Sequence, residues 1–296
     1  MDMQKIARYA DFIRRSFKAN DDVRDSRLAY PDGIRSICDI KYSDKDILNV
    51  LDIYYPAVEQ PTYKTIVNIH GGAYVYGDKE RYKFYCMYLA SKGFAVVNFS
   101  YRLAPESPYP AALEDVNSVF HFIADNYTQY KFDIENVFAA GDSAGAQLAA
   151  QYAAILTSDK YRQHFNFNIP EIKIKGCLLN CGMYDLKKQF ETGAKNKKMF
   201  QAYFQGREGE YADHLLTLEA VNENFPPSYI MTAYYDFLRD DGVEFAEILK
   251  KNGVKYSFRM FGDETTQDMS HVFHLNIRTN EAKLCNDEEC EFLFSL

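Results

Sequence analysis

A predicted strand, a tight turn and a predicted helix follow one another without a break at residues 136–157. Residues 136–140 are mostly apolar and run straight into GDSAG at 141–145, and the alanine-rich stretch at 144–157 predicts a helix. A turn this tight needs residues almost without side chains two positions before and two positions after its centre, and glycine stands at both. The pattern predicts a strand inside a sheet, a helix packed on that sheet, and Ser143 raised at the strand's carboxyl end.

Short apolar segments alternate with helical patterns along the rest of the chain. We predict strands at 34–40, 47–55, 65–69, 94–99, 136–140, 174–181, 228–233 and 254–261, and helices at 81–91, 111–126, 144–157 and 241–252. Several of these strands are rich in Val, Ile and Phe with little polar alternation, as is typical of parallel strands covered on both faces. The alternation predicts an α/β fold with a mostly parallel sheet and helices on both faces. The first two strands are expected to pair antiparallel at an edge.

Two segments, at about residues 1–30 and 187–218, fall outside this alternation. The first has the pattern of a charged amphipathic helix, and the second is a long polar and aromatic connection between two strands. Connections of this length in a compact domain are usually functional. We therefore predict one domain over residues 1–296 with a small helical cap made from both segments; the alternative is a peripheral helix and a disordered loop. Three aromatic residues either line an apolar pocket or pack within this cap: Phe200, Tyr203 and Phe204.

Charge and hydropathy exclude several classes of partner, and cysteine usage indicates the cellular compartment. The formal net charge is −8, which argues against a nucleic-acid-binding protein, because phosphate backbones require clustered Lys and Arg. No apolar run approaches the roughly 20 residues of a membrane-spanning helix, and the charged N-terminus lacks a signal-peptide core. The six cysteines lack disulfide-framework spacing, so we expect free thiols and a cytoplasmic protein. A monomer and a homodimer both agree with this pattern.

A second glycine turn follows the predicted strand at 65–69, where the sequence reads HGGA at 70–73. A serine placed like Ser143 can be the nucleophile of acyl transfer, a reaction that passes through an oxyanion. Backbone N–H groups must approach this oxyanion to about 2.7–3.1 Å, and glycines remove the side chains that would block the approach. We predict an oxyanion hole from this loop and the turn at 141–145. Its members are the N–H donors Gly72, Ala73 and Ala144, with Gly71 as part of the bend.

The acid that partners Ser143 should follow it in the chain, and the histidine base should come last. Asp236, just after the strand at 228–233, is the preferred acid, and Asp185, after the strand at 174–181, is its competitor. Asp240 and Asp241 are expected to cap the helix that follows.

His271 is the preferred base, because it opens the segment after the loop at 262–270 that follows the last predicted strand. His274 is the alternative and lies a turn later, toward the final helix. His214 lies in the second cap segment, before the preferred acid. His70 precedes the serine, and we interpret it as a structural residue that fixes the glycine loop by hydrogen bonding.

These motifs together resemble the bacterial hormone-sensitive-lipase-like family of esterases, which have the α/β-hydrolase fold. The matching segments are HGGAYVYGD at 70–78, YRLAPESPYPAALED at 101–115, GDSAGAQLA at 141–149 and YYDFLRDDG at 234–242, with His271 last. The resemblance runs from about residue 65 to the end of the chain. It implies Ser143 as nucleophile, Asp236 as acid, His271 as base, N–H donors at Gly72 and Ala73, and a cap over the site. It implies no metal and no cofactor.

The chain departs from the family pattern at three positions: Ala73 replaces the third glycine of HGGG, Ala146 the second glycine after SAG, and Phe237 the usual proline after the acid. None of these changes removes a reacting group. The resemblance implies a serine esterase that cleaves small-molecule carboxylic esters of short to medium acyl chain through an acyl-enzyme. GDSAGAQLA is also similar to arylformamidases, which cleave a formyl amide bond, and plant hormone receptors of similar fold bind small molecules without catalysis. Both alternatives stay open at this point.

Overall fold

The computed structural model describes residues 2–192, 197–267 and 269–296, so residues 193–196 of the second predicted cap segment lie outside the described residues. The strands within these ranges are β1 Arg35–Lys41, β2 Val50–Tyr55, β3 Tyr63–Ile69, β4 Ala95–Phe99, β5 Phe132–Asp142, β6 Ile174–Asn180, β7 Ser228–Ala233 and β8 Tyr256–Phe261. They form one sheet in the order β1-β2-β4-β3-β5-β6-β7-β8. β2 pairs antiparallel with both β1 and β4, and the other neighbours pair parallel. The predicted mostly parallel sheet with an antiparallel edge is confirmed.

Helices connect the strands and cover both faces of the sheet. The α-helices among the described residues are α1 Met3–Asp25, α2 Lys79–Ser91, α3 Ala111–Tyr130, α4 Ala144–Thr157, α5 Asp159–Arg162, α6 Leu186–Thr192, α7 Lys197–Phe204, α8 Thr217–Ala220, α9 Arg239–Lys251 and α10 Asn280–Phe294. Neighbouring residues of β3 point to opposite faces. Val67 packs in one hydrophobic cluster with Leu148 of α4, and Ile66 packs in a second cluster with Leu89 of α2. The sheet is therefore buried on both sides, as the apolar strands predict.

β5 begins earlier than its sequence pattern indicates. The strand starts at Phe132, and its pairing with β3 shifts register between Lys64 and Thr65, which pair with Asp133 and Val137. Hydrophobicity alone does not predict the start of this strand, because the irregular stretch contains polar residues such as Asp133. The other end of β5 leads directly into α4, as predicted.

The predicted capping of α9 by Asp240 and Asp241 is wrong. The residue at the N-cap position is Leu238, which makes no side-chain capping bond. The turn before the helix is instead closed by Asp236, whose Oδ1 accepts the Leu238 N–H at 2.9 Å. Asp241 lies in the first turn of the helix, where its carboxylate accepts a hydrogen bond from Gln189 at 3.0 Å.

The two predicted cap segments contact each other through α1 and α7. Arg14 of α1 also donates to the carbonyl oxygens of Val75 at 2.8 Å and of Ala104 at 3.1 Å, which ties the helix to the loops after β3 and β4. In the second segment, the Tyr203 ring stacks on Tyr74 with 3.8 Å between ring centroids. No helix within the described ranges is long and apolar enough to cross a membrane.

Candidate active site

Ser143 occupies a strained turn between β5 and α4. Its φ is 52° and its ψ is −117°, a backbone conformation that costs a residue other than glycine on the order of 1–3 kcal/mol. The turn is held by the Ser143 N–H, which donates to the Asn180 carbonyl at 2.9 Å. A Cβ on Gly141 would lie 2.5 Å from the carbonyl carbon of Gly145, so only glycine fits there. The surroundings therefore fix the serine in a conformation that it would not adopt alone.

A cavity of about 910 Å³, called here the site cavity, opens beside Ser143. Both predicted cap segments contribute to its wall. Tyr9, Ile13 and Phe17 of α1 and Met199 of α7 form an apolar part. Phe200, Tyr203 and Phe204 are buried in the main hydrophobic cluster instead, and the lining of the site cavity does not include them.

Three backbone N–H groups at the site cavity have no hydrogen-bond acceptor among the described residues: those of Gly72, Ala73 and Ala144. The loop conformation that presents the first two is left-handed, with φ of 116° at Gly72 and 54° at Ala73. A Cβ on Gly72 would lie 2.0 Å from the Tyr76 carbonyl oxygen, so this position requires glycine. Free N–H groups in a cavity can stabilise negative charge on a bound oxygen atom.

The Gly71 N–H is already engaged. It donates to the Tyr82 hydroxyl at 2.8 Å and to Asp142 Oδ1 at 3.0 Å, so Gly71 lies in the bend of the loop and is not a free donor. The Tyr82 hydroxyl in turn donates to Asp142 Oδ2 at 2.9 Å. Burial raises the pKa of Asp142 to about 6, although the hydrogen bond from Tyr82 opposes this shift. Tyr82 and Asp142 hold the glycine loop against the serine turn, a role that no sequence motif predicted for either residue.

His70 is fully buried beneath the same loop. Its Nδ1 lies 2.7 Å from the Gly71 carbonyl oxygen, and its ring stacks on Tyr101 with 3.9 Å between centroids. Burial lowers the pKa of His70 to about 4, so the ring is neutral at neutral pH and Nδ1–H donates to the carbonyl. These contacts fit a structural residue.

Asp236 and His271 meet at the carboxyl end of the sheet. His271 Nδ1 lies 2.8 Å from Asp236 Oδ1, and Asp236 Oδ2 accepts the Thr232 hydroxyl at 3.1 Å. Burial raises the pKa of Asp236, but the hydrogen bond and charge of His271 outweigh it, and the net shift is downward. The Asp236 side chain is fully buried, whereas the His271 side chain is 21% exposed and lines the site cavity with Ser143. An ionised acid therefore orients a histidine that reaches the cavity.

The competing candidates lie elsewhere. Asp185 Oδ1 accepts the Lys188 N–H at 2.8 Å, which is a helix-capping contact at the start of α6. His274 is buried with its ring edge-on to Tyr85 at 5.1 Å, and burial lowers its pKa to about 3. His214 Nδ1 lies 2.9 Å from the Tyr109 hydroxyl, within the second cap segment. The structure brings Asp236 and His271 together and leaves these three apart.

Cys181 joins the acid and the base in one cluster. Potential ligand atoms of Cys181, Asp236 and His271 all lie within 4.8 Å of one another. A thiol, a carboxylate and an imidazole can bind a metal such as zinc. Here the imidazole and the carboxylate already share a hydrogen bond, an arrangement that suits proton transfer. A free buried thiol was expected at Cys181, but its place beside Asp236 was not, because the two residues follow different strands.

The chain is similar to known proteins in sequence and in fold. A family model described as the alpha/beta hydrolase fold matches residues 66–275. Esterase LipI of Mycobacterium tuberculosis is 32% identical over 211 residues, which cover 68% of this chain and 65% of that protein. Carboxylesterase NlhH of the same species is 28% identical over 213 residues, again 68% of this chain and 65% of that protein. The aligned part of the chain thus spans slightly less than two thirds of each of these relatives.

A solved structure shares the whole architecture. Esterase B from Lactobacillus rhamnosis superposes with a TM-score of 0.90 at 24% sequence identity, and the match covers 99% of this chain and 96% of that chain. At this level of identity the likeness supports the fold alone.

Proposed function

The chain belongs to the family of alpha/beta hydrolase fold proteins, which confirms the resemblance found in its motifs, and from this premise we propose that it is a serine carboxylesterase. One observation carries the proposal. Ser143, the His271 ring held by Asp236, and the free N–H groups of Gly72 and Ala73 all meet at one cavity. The related proteins that are named esterase and carboxylesterase support the same activity.

The first half of the proposed reaction forms an acyl-enzyme. Since His271 Nδ1–H donates to Asp236, its Nε2 carries the lone pair that accepts a proton. Ser143 Oγ attacks the ester carbonyl carbon and gives its proton to Nε2, while the ionised Asp236 stabilises the imidazolium. The carbonyl oxygen becomes an oxyanion. His271 then returns the proton to the leaving alcohol oxygen as the ester C–O bond breaks.

The N–H groups at the site cavity would bind the oxyanion during both halves of the reaction. Gly72, Ala73 and Ala144 supply three donors that need no rearrangement, because none has another acceptor within the described residues. Removing a single donor from such a hole costs about 10²–10³ in kcat in other enzymes. In the second half, water gives a proton to His271 and attacks the acyl carbon, and the Ser143 oxygen leaves with that proton as the carboxylic acid is released.

We propose short to medium acyl chains as the preferred substrates. The apolar part of the site cavity, formed by Tyr9, Ile13 and Phe17, suits an acyl chain, and the cavity volume of about 910 Å³ is within the range of small-molecule sites. The two predicted cap segments would act as the lid that encloses this chain. Cytoplasmic location belongs to the proposal too, because all six cysteines are free. A homodimer stays a prediction, which light scattering would test.

A panel of aryl esters with increasing acyl length tests the proposal. We expect kcat/KM to be highest for acetate to hexanoate esters and to fall for long chains, and Ser143→Ala should remove turnover while its thermal melting matches the parent protein. A maximum at long acyl chains would contradict the substrate preference. No turnover of any ester by folded protein would contradict the esterase itself, and an N-formyl arylamine in the panel would then reveal a formamidase.

A further inference from the structure

Cys181 lies immediately after β6, in a backbone conformation that is unusual for a residue with a side chain. Its φ is 48°, and its N–H donates to the Met231 carbonyl at 2.7 Å. The side chain is 1% exposed. A left-handed residue at the carboxyl end of a buried strand is strained, and such strain persists where surrounding contacts fix it. The contacts of the thiol therefore show which groups this strained conformation positions.

The sulfur of Cys181 accepts a hydrogen bond from the residue that follows the base. The Val272 N–H lies 3.4 Å from Cys181 Sγ. Val272 is itself left-handed, with φ of 54° and ψ of 32°, which is a genuine outlier for a β-branched side chain. Since Val272 directly follows His271, the hydrogen bond to sulfur holds the strained backbone from which the imidazole projects.

The same sulfur lies beside the acid. Ligand atoms of Cys181, Asp236 and His271 all lie within 4.8 Å of one another, so the thiol stands next to the Asp236 carboxylate. Burial raises the pKa of the thiol far above its ordinary value, so the thiol is protonated at neutral pH and adds no second negative charge beside the acid. The hydrogen bonds to Asp236 come from His271, Leu238 and Thr232.

We propose that Cys181 is a positioning residue for the acid–base pair, because its sulfur lies beside the Asp236 carboxylate and accepts the Val272 N–H. One side chain thereby contacts both the turn after β7 that carries the acid and the loop that carries the base, and it sets the distance between them. The inference rests on the proposed function, because it assigns Cys181 a part in the same reaction. Positioning matters here because a misplacement of about 1 Å can cost about 10²-fold in rate.

The apolar surroundings explain why sulfur suits this position. Cys181 Sγ lies 4.0 Å from Met231 Sδ, in a cluster with Phe273 and Phe261. A thiol donates and accepts weakly, but it costs less to bury than a hydroxyl and reaches further from its Cα. Serine keeps both hydrogen-bonding capacities in a shorter side chain. It is therefore the conservative variant with which a positioning role can be rescued.

The test compares Cys181→Ala and Cys181→Ser with Cys177→Ala. Cys177 is a fully buried thiol in β6, so its variant loses the same atoms away from the acid–base pair. We expect Cys181→Ala to lower kcat by about 10-fold or more with KM nearly unchanged, because the pair is displaced and substrate binding is not. Cys181→Ser should recover most of kcat, and Cys177→Ala should keep the parent kcat.

A second variant and a spectroscopic measurement keep the proposal testable if Cys181→Ala does not fold. Cys181→Gly suits the positive φ and also removes the thiol. The far-downfield proton resonance of the His271–Asp236 hydrogen bond should shift in Cys181→Ala or Cys181→Gly and should not move in Cys177→Ala. Unchanged kcat and an unchanged resonance in folded Cys181→Gly would overturn the proposal. The resonance does not depend on turnover, so a protein that cleaves no ester would contradict the esterase assignment while this measurement still decides the role of Cys181.

Discussion

Gly145 and Ile69 approach each other so closely that a Cβ on Gly145 would lie 2.0 Å from the Ile69 carbonyl oxygen. Gly145 belongs to the turn that carries Ser143, and Ile69 ends β3, just before the glycine loop. The same Cβ would lie 2.7 Å from the His70 carbonyl oxygen. The serine turn and the glycine loop are therefore packed directly against each other through backbone atoms, and neither can move without the other.

Gly145→Ala should lower both stability and activity. Backbone atoms cannot move aside as a flexible side chain can, so the added methyl group must displace the glycine loop. We expect a loss of about 1–3 kcal/mol in the free energy of unfolding and a fall in kcat of about 10-fold or more as the oxyanion donors shift. Denaturant unfolding and ester hydrolysis measure the two effects. Gly209→Ala is the matched control, because a Cβ there meets nothing within 4 Å; equal behaviour of the two variants would refute the coupling.

Asp236→Asn should be far more damaging than Asp185→Asn. The amide removes the charge that stabilises the imidazolium and favours the wrong histidine tautomer, a change that costs about 10⁴ in kcat in the serine-protease triad. Asp185 caps α6 through the Lys188 N–H, and asparagine caps helices as well as aspartate does. We therefore expect Asp185→Asn to keep nearly full kcat and stability. Steady-state kinetics on both folded variants decide between the two acids, and the opposite ranking would make Asp185 the acid.

Local pattern was enough to predict the elements that carry the site. The alternation of apolar and helical segments predicted the sheet, and glycines at fixed spacing predicted the serine turn. Local pattern did not predict contacts between distant parts of the chain. Cys181 and Val272 are 91 residues apart, and Tyr82 and Asp142 are 60 apart, so no short motif links either pair.

The wrong capping prediction has a local cause that only the structure reveals. Asp240 and Asp241 have the right residue type for a helix N-cap, but the turn before α9 is already closed by Asp236, which accepts the Leu238 N–H. A residue that orients His271 thus also begins the helix. Propensity alone cannot show that one carboxylate serves both purposes, because the second partner lies 35 residues away.

Glu289→Gln should change how stability depends on pH. Glu289 is fully buried in α10, where it accepts hydrogen bonds from Asn180 and Tyr85, both at 2.7 Å. Burial raises its pKa from 4.5 to about 7. The folded protein therefore binds more protons than the unfolded chain between these two values, so this group makes stability fall as pH rises through them. The shift corresponds to about 3 kcal/mol, at 1.36 kcal/mol for each pKa unit.

Glutamine cannot titrate, so the variant should gain stability relative to the parent protein as pH rises from 5 to 8. Urea unfolding at several pH values measures the difference in the free energy of unfolding between the two proteins. The contributions of the other titrating groups largely cancel in this difference. Glu291→Gln, on the exposed side of the same helix, is the control and should follow the parent protein across this range. If the difference in the free energy of unfolding between Glu289→Gln and the parent protein stays constant from pH 5 to 8, Glu289 is ionised in the folded protein and its pKa is not raised.

The acid limb of the pH–rate profile should depend on His271 and not on His274. The base must be neutral to accept the Ser143 proton, so kcat/KM should fall as acid protonates it. Burial lowers the pKa of His274 to about 3 and of His70 to about 4, so both rings stay neutral over most of the working range. His271→Ala should lose nearly all turnover, whereas His274→Ala should keep the limb at its parent position and lose rate only through looser packing beside Tyr85.

Asp142, which lines the site cavity, could also produce such a limb, because burial raises its pKa to about 6 and it accepts a hydrogen bond from the Gly71 N–H. Asp142→Asn cannot titrate but keeps an acceptor for the Tyr82 hydroxyl. If His271 is the titrating base, this variant has a lower kcat and the same limb. If the limb disappears in Asp142→Asn, protonation of Asp142 loosens the glycine loop and causes the fall. If His274→Ala abolishes turnover while His271→Ala keeps a normal limb, the base is His274, which would then have to leave its buried contact with Tyr85 to reach Ser143.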